Sequence, residues 1–131
     1  MLNFGKTMVV AAHPDDEVLG CGGLIAKLVN QGEQVRVVFI AEGRSCRYNT
    51  LTEEAQKEIN FRKKCGIEAM KSLGVNDYCF YNLPCGRLDS EPLIEIAKTI
   101  EKEVLDYEPT TVLTHSRNDV HNDHKIVFKA T

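Results

Sequence analysis

Short apolar runs rich in β-branched residues alternate along this chain with longer stretches whose apolar positions recur every three or four residues. The first run, residues 6–12 (KTMVVAA), reads as a strand. Residues 16–31 follow as a helix, with Val18, Leu19, Gly22, Ile25, Ala26 and Val29 on one face and Gly32 as its stop. Residues 34–41 (QVRVVFIA) are almost continuously apolar, the pattern of a strand covered on both faces. A second helix is predicted over 51–73, opened by a capping box of Thr50 and Glu53 with Glu54 adding favourable charge. Its inward stripe is Ala55, Ile59, Gly66, Ala69, Met70 and Leu73, and Gly74 ends it. Residues 77–82 (DYCFYN) form a third strand. A third helix starts near Ser90 with Pro92 in its first turn and Leu93, Ile96, Ala97, Ile100 and Val104 facing inward. Residues 110–114 (TTVLT) make a fourth strand, and a last helix begins near Asp123.

Alternation of this kind implies parallel strands joined by right-handed crossovers with helices on both faces. The expected fold is α/β: a Rossmann-like three-layer αβα sandwich with a mostly parallel sheet. A length of 131 residues suits one domain, 1–131. With strand order 3-2-1-4, strands one and four are neighbours where the order reverses. The loops that begin at His13 and His115 then face each other across the crevice beyond the strand ends.

Composition narrows the function classes. A hydrophobic share of 43% excludes disorder as a description of the whole chain. A net charge of −3 supplies no broad cationic field, so no nucleic-acid partner is expected. Acidic residues arrive early, before any long apolar run, which predicts no signal peptide, no membrane insertion and a cytoplasmic location. Five cysteines without a CxxC pair argue against a disulfide framework, and each is expected to be a small buried hydrophobe in a reducing compartment.

The chemistry concentrates in the two loops. The first reads His13-Pro14-Asp15-Asp16-Glu17, and Pro14 biases His13 toward extended geometry. The second runs from His115 to His124 and holds three histidines and two acids, so all four histidines of the chain lie in loops predicted to meet. His13, Asp16 and His124 fit a metal as two imidazoles and one carboxylate, a set that suits zinc and equally Fe(II). One of two adjacent acids can ligate while the other stays free as a base. Glu17 is expected to favour the start of the first helix electrostatically. The run Gly20-Cys21-Gly22-Gly23 lies inside a helix pattern, so close helix–sheet packing explains it better than dinucleotide binding.

Together, AHPDDEVLGCGG and HNDH resemble the signature of the PIG-L/LmbE-like zinc-dependent de-N-acetylases, over Met8 to Lys125. The resemblance implies a Rossmann-like fold and Zn²⁺, or another divalent metal, on His13, Asp16 and His124. It makes Asp15 the general base for the attacking water. His121 becomes the protonated partner that stabilises the oxyanion or helps the amine leave, with Asp123 orienting it. The implied reaction is removal of the acetyl group from an N-acetylated amino sugar or sugar conjugate of the N-acetylglucosamine type. Another metal-dependent amide or ester hydrolase, or an inactive metal-binding fragment, is the alternative. Arg62 is a substrate-binding candidate or a solvated helix charge; Cys65 and Cys85 stand where acids are common in similar sequences. Arg44 and Arg47 lie on the crevice side, and His115 and Asp119 are candidates to support the metal ligands. Family domains continue well past the second motif, so truncation at the C-terminus, an open sheet edge and a homo-oligomer are expected.

Overall fold

A computed structural model describes residues 3–131; Met1 and Leu2 of the expected 1–131 domain lie outside the described residues. In chain order the elements are β1 (Thr7–Ala11), α1 (Asp16–Asn30), β2 (Val35–Ala41), α2 (Glu53–Leu73), β3 (Asp77–Leu83), α3 (Leu93–Tyr107), β4 (Thr111–Leu113) and α4 (Asn122–Ala130). Single 3-10 turns at Ser45–Arg47 and Leu88–Ser90 follow β2 and β3. The sheet order is β3-β2-β1-β4 and every pairing is parallel. The predicted 3-2-1-4 arrangement is therefore the one observed.

Alternate residues of the central strands feed two cores. Val9, Ala11, Val37 and Phe39 face α1 and α2, where they meet Ile25, Leu28 and Met70. Met8, Val10, Val38 and Ile40 face α3 and α4, where they meet Ile96, Ile100, Tyr107 and Val127. This is the period of two that a pleated strand imposes, and it produces the three layers. Phe39 is fully buried and stacks on Phe80 with centroids 4.6 Å apart. The same packing positions the first loop. A Cβ at Gly66 of α2 would meet Pro14 Cβ at 3.1 Å, so glycine lets this helix lie directly against the His13–Glu17 segment.

Several local expectations fail for identifiable reasons. Val18 and Leu19 are 40% and 81% exposed, whereas Glu17 and Leu28 are buried. The backbone of α1 is non-helical at Cys21 (φ −145°), so the first turn is out of phase with the rest of the helix. Thr52, not Thr50, caps α2: its hydroxyl accepts from Ala55 N at 3.1 Å, and the Thr50–Glu53 box does not form. Pro92 precedes α3 as its cap, Leu93 is partly exposed, and Tyr107 supplies a buried contact that the stripe had not included. β4 has only three residues and sits at the sheet edge with Val112 partly exposed. Of the five free cysteines, Cys46 and Cys65 are exposed rather than buried, because they occupy a loop and the outer face of α2. Among the described residues, no helix is long and apolar enough to cross a membrane.

Candidate metal centre

The loop leaving β1 folds back on His13. Asp15 N and Asp16 N both donate to His13 O, at 3.0 and 3.2 Å, while His13 N donates to Asp16 Oδ2 at 2.8 Å. This tight turn sets the Asp16 carboxylate beside the His13 ring, with Nδ1 3.4 Å from Oδ2. The other ring nitrogen, Nε2, lies 2.8 Å from Asp123 Oδ2, a contact between residues 110 apart in sequence. Asp123 is fully buried, and its carboxylate also accepts from Gly86 N at 2.6 Å and Leu88 N at 3.3 Å. With Nε2 held by Asp123, Nδ1 is the ring position left to ligate.

The second loop supplies the opposite wall. His124, in the first turn of α4, places Nε2 3.3 Å from Asp16 Oδ2 and Nδ1 3.0 Å from Asp119 Oδ2. One carboxylate oxygen thus lies between two imidazoles, and each imidazole is backed on its far nitrogen by a separate carboxylate. Such backing fixes ring orientation and raises ligand basicity in metal sites. His121 has a ring nitrogen within 4.8 Å of ring nitrogens of both His13 and His124. His115 stacks on His124, with centroids 4.0 Å apart, and its Nε2 accepts from Ala12 N at 2.8 Å.

The electrostatics follow from burial and these contacts. Burial alone disfavours charge on His13, but hydrogen bonds to Asp123 and Asp16 outweigh it and raise its pKa to about 11. Burial also opposes ionisation of Asp16 and Asp123, yet both sit below the usual carboxylate range because His13 bonds them and backbone N–H groups add to this. Asp119 falls to about 2 through the His121 backbone N–H and then the His124 ring. Burial, reinforced by the neighbouring His124, pushes His115 down to about 4. Burial moves Glu17 the other way, up to about 7.

Asp16 Oδ2 contacts both predicted histidines, while the side chains whose ligand atoms all lie within 4.8 Å of one another are His13 with His121 and His124, and Asp16 with His115 and His124; the contacts also modify the expected roles. Asp123 does not orient His121 with its carboxylate, which lies under His13; its backbone N–H is what reaches His121, donating to Nδ1 at 3.2 Å. Arg62 is not a solvated helix charge. It pairs with the Asp15 carboxylate, and its Nε donates to Pro14 O at 3.0 Å. Arg44 is engaged by Glu58 at 3.0 Å, and Arg47 is exposed. Glu17 is not simply a charge at a helix start: it is buried, with Oε2 accepting from Asp15 N at 3.0 Å and Oε1 without a partner among the described residues.

Sequence reasoning missed Glu42. This buried acid directly after β2 accepts from Arg44 N, Ser45 N and Ser45 Oγ, and from Cys85 N at 2.8 Å. It joins the loops after β2 and β3, which wall a cleft of about 420 Å³ lined by Glu42, Tyr48, Lys63, Asn82 and Arg87. An acid immediately beyond an apolar strand was the available signal, the same one that marked Asp15 and Asp16.

The donor set fits a divalent cation. Two imidazole nitrogens and one carboxylate oxygen make a three-ligand set of the kind that leaves a position open on catalytic zinc. The model of the PIG-L family, GlcNAc-PI de-N-acetylases, matches residues 8–131. The chain is 29% identical over 126 residues to a probable N-acetyl-α-D-glucosaminyl L-malate deacetylase 2 of Bacillus cereus, covering 94% of this chain and 57% of that protein. It is 36% identical over 84 residues to a 1D-myo-inositol 2-acetamido-2-deoxy-α-D-glucopyranoside deacetylase of Corynebacterium kroppenstedtii, covering 60% and 21%. The structure of N,N'-diacetylchitobiose deacetylase from Pyrococcus horikoshii superposes with a TM-score of 0.84 at 26% identity, over 98% of this chain and 48% of that one. The chain therefore spans less than two thirds of the length of each of these relatives.

Proposed function

Because the chain belongs to the PIG-L family of GlcNAc-PI de-N-acetylases, we propose that it hydrolyses the acetyl amide of an N-acetylglucosamine-type conjugate, with zinc held by His13, Asp16 and His124. The observation that carries this reading is the placement of Asp16 Oδ2 between two imidazoles, each backed by its own carboxylate. When bound, such a cation polarises the acetyl carbonyl and lowers the pKa of water toward ~7.

The remaining work falls to side chains. Asp15 sits next in sequence to a ligand and is not needed as one, so its carboxylate takes the proton from the attacking water. His121 offers Nε2 toward the reacting group, because Nδ1 is taken by the Asp123 N–H. From Nε2 it donates to the acetyl oxygen as negative charge develops, or to the departing amine. Asp123 and Asp119 hold the two ligand rings. Arg62 Nη1 makes no hydrogen bond among the described residues and is free for a sugar hydroxyl, while Nε and Nη2 anchor to the first loop.

Two assays test the reading. Metal analysis of the purified protein is expected to give about one equivalent of zinc. A fluorogenic amine assay with N-acetylglucosamine conjugates is expected to show amine release that stops in Asp15→Asn while metal content is kept. One equivalent of metal with no amine release from any acetylated sugar contradicts the hydrolase reading. Full turnover in Asp15→Asn contradicts the base assignment.

A further inference from the structure

Two cysteines meet beside the candidate centre, where Cys85 Sγ lies within 4.8 Å of a His13 ring nitrogen and an Asp123 oxygen. Cys46 lies on the 3-10 turn after β2 and Cys85 in the loop after β3, 39 positions on, with their Sγ atoms 3.2 Å apart. Cys46 is exposed and Cys85 is buried. Their loops are already built onto each other. Glu42 accepts from both Ser45 N and Cys85 N, Arg87 Nη2 donates to Tyr48 O at 2.9 Å, and Glu42 N donates to Leu83 O at 3.0 Å. Gly86 (φ +70°) passes so close that a Cβ there would lie 2.8 Å from Cys46 Cβ. The thiol contact is therefore held by the fold on both sides.

We propose that Cys46 and Cys85 are a reversible dithiol–disulfide pair that clamps the loop after β2 to the loop after β3 at the wall of the cleft. A bonded pair has its sulfurs at about 2.05 Å, so closure needs a shift of only about 1 Å. The oxidant is a low-molecular-weight disulfide. The exposed Cys46 thiolate attacks it, forming a mixed disulfide and expelling one small thiolate. The Cys85 thiolate then attacks the Cys46 sulfur and expels the second. Two protein S–H bonds are lost as protons, one S–S bond forms, and two electrons reduce the reagent to two thiols. The clamped segment carries Gly86 N, which donates to Asp123 Oδ2 at 2.6 Å, so the clamp adjoins the residue that holds His13.

The test uses the reduced chain of residues 1–131, oxidised glutathione and alkylation under denaturing conditions. Two of the five thiols are expected to become unreactive, with a peptide map joining Cys46 to Cys85 and dithiothreitol restoring both. The melting temperature should rise by on the order of 10 °C. Amide exchange should slow in residues 43–48 and 84–88. Cys46→Ser, at an exposed position, should remove all three effects. Glutathione retained on Cys46 with Cys85 still reactive, a bridge between other cysteines, or unchanged exchange in both loops would overturn the proposal.

Discussion

The two histidines proposed as ligands are held by the same device in opposite settings. His13 is buried, and its partner Asp123 is fully buried, reached across 110 residues and loaded with two further backbone donors. His124 is bonded by Asp119, a part-exposed acid five residues away in the same loop. The first pair ties strand one, the loop after β3 and the start of α4 into one unit. The second adjusts one ring. A carboxylate behind an imidazole is therefore a fold element on one side of this centre and a local support on the other.

Removing Asp123 should show the largest effect. Asp123→Ala leaves His13 and the Gly86 and Leu88 amides without their buried partner, and a loss of ~3–5 kcal/mol is expected in chemical denaturation, together with loss of metal. Asp119→Ala should stay within about 1 kcal/mol of wild type while weakening zinc by ~10–100-fold in chelator competition. Equal destabilisation by the two substitutions would erase the contrast.

Proton linkage sharpens it further. The His13 pKa is raised from 6.5 to about 11, so its contribution to metal-free stability is complete below 6.5 and is lost as pH rises toward 11. Metal must displace that proton. Zinc affinity should therefore rise by about tenfold per pH unit between roughly pH 7 and 9, and titration in buffers of different ionisation enthalpy should show about one proton released. A flat profile would mean that His13 is not the protonated ligand. Glu17 supplies a separate test. Its pKa is raised from 4.5 to about 7, so the associated stability is full below 4.5 and fades as pH passes through 7. Glu17→Gln should leave metal-free stability little changed at pH 5 and raise it by roughly 1–3 kcal/mol at pH 8. No gain at pH 8 would place a partner on Oε1.

Much of this was legible because it depends on local pattern and a topological rule. The alternation of strands and helices required parallel crossovers, and the order 3-2-1-4 brought His13 and His124 to one crevice. What was not legible depends on tertiary detail. The break at Cys21 rephased α1 and buried Glu17 in place of Leu19, which no periodicity of 3.6 reveals. Asp123 turned inward because the loop after β3 presents two amides to it, and that loop lies 35 or more residues away. Glu42 and the Cys46–Cys85 contact likewise exist only once β2 and β3 are paired.

The central claim is that His13, Asp16 and His124 share one divalent cation. X-ray absorption spectroscopy on the zinc-loaded chain tests it most directly, with His124→Ala as the comparison. Two imidazoles with light N/O ligands and no sulfur are predicted, falling to one imidazole or to loss of zinc in His124→Ala. A sulfur scatterer near ~2.3 Å, from the neighbouring grouping of His13, Cys85 and Asp123, or an unchanged spectrum in His124→Ala, would contradict it.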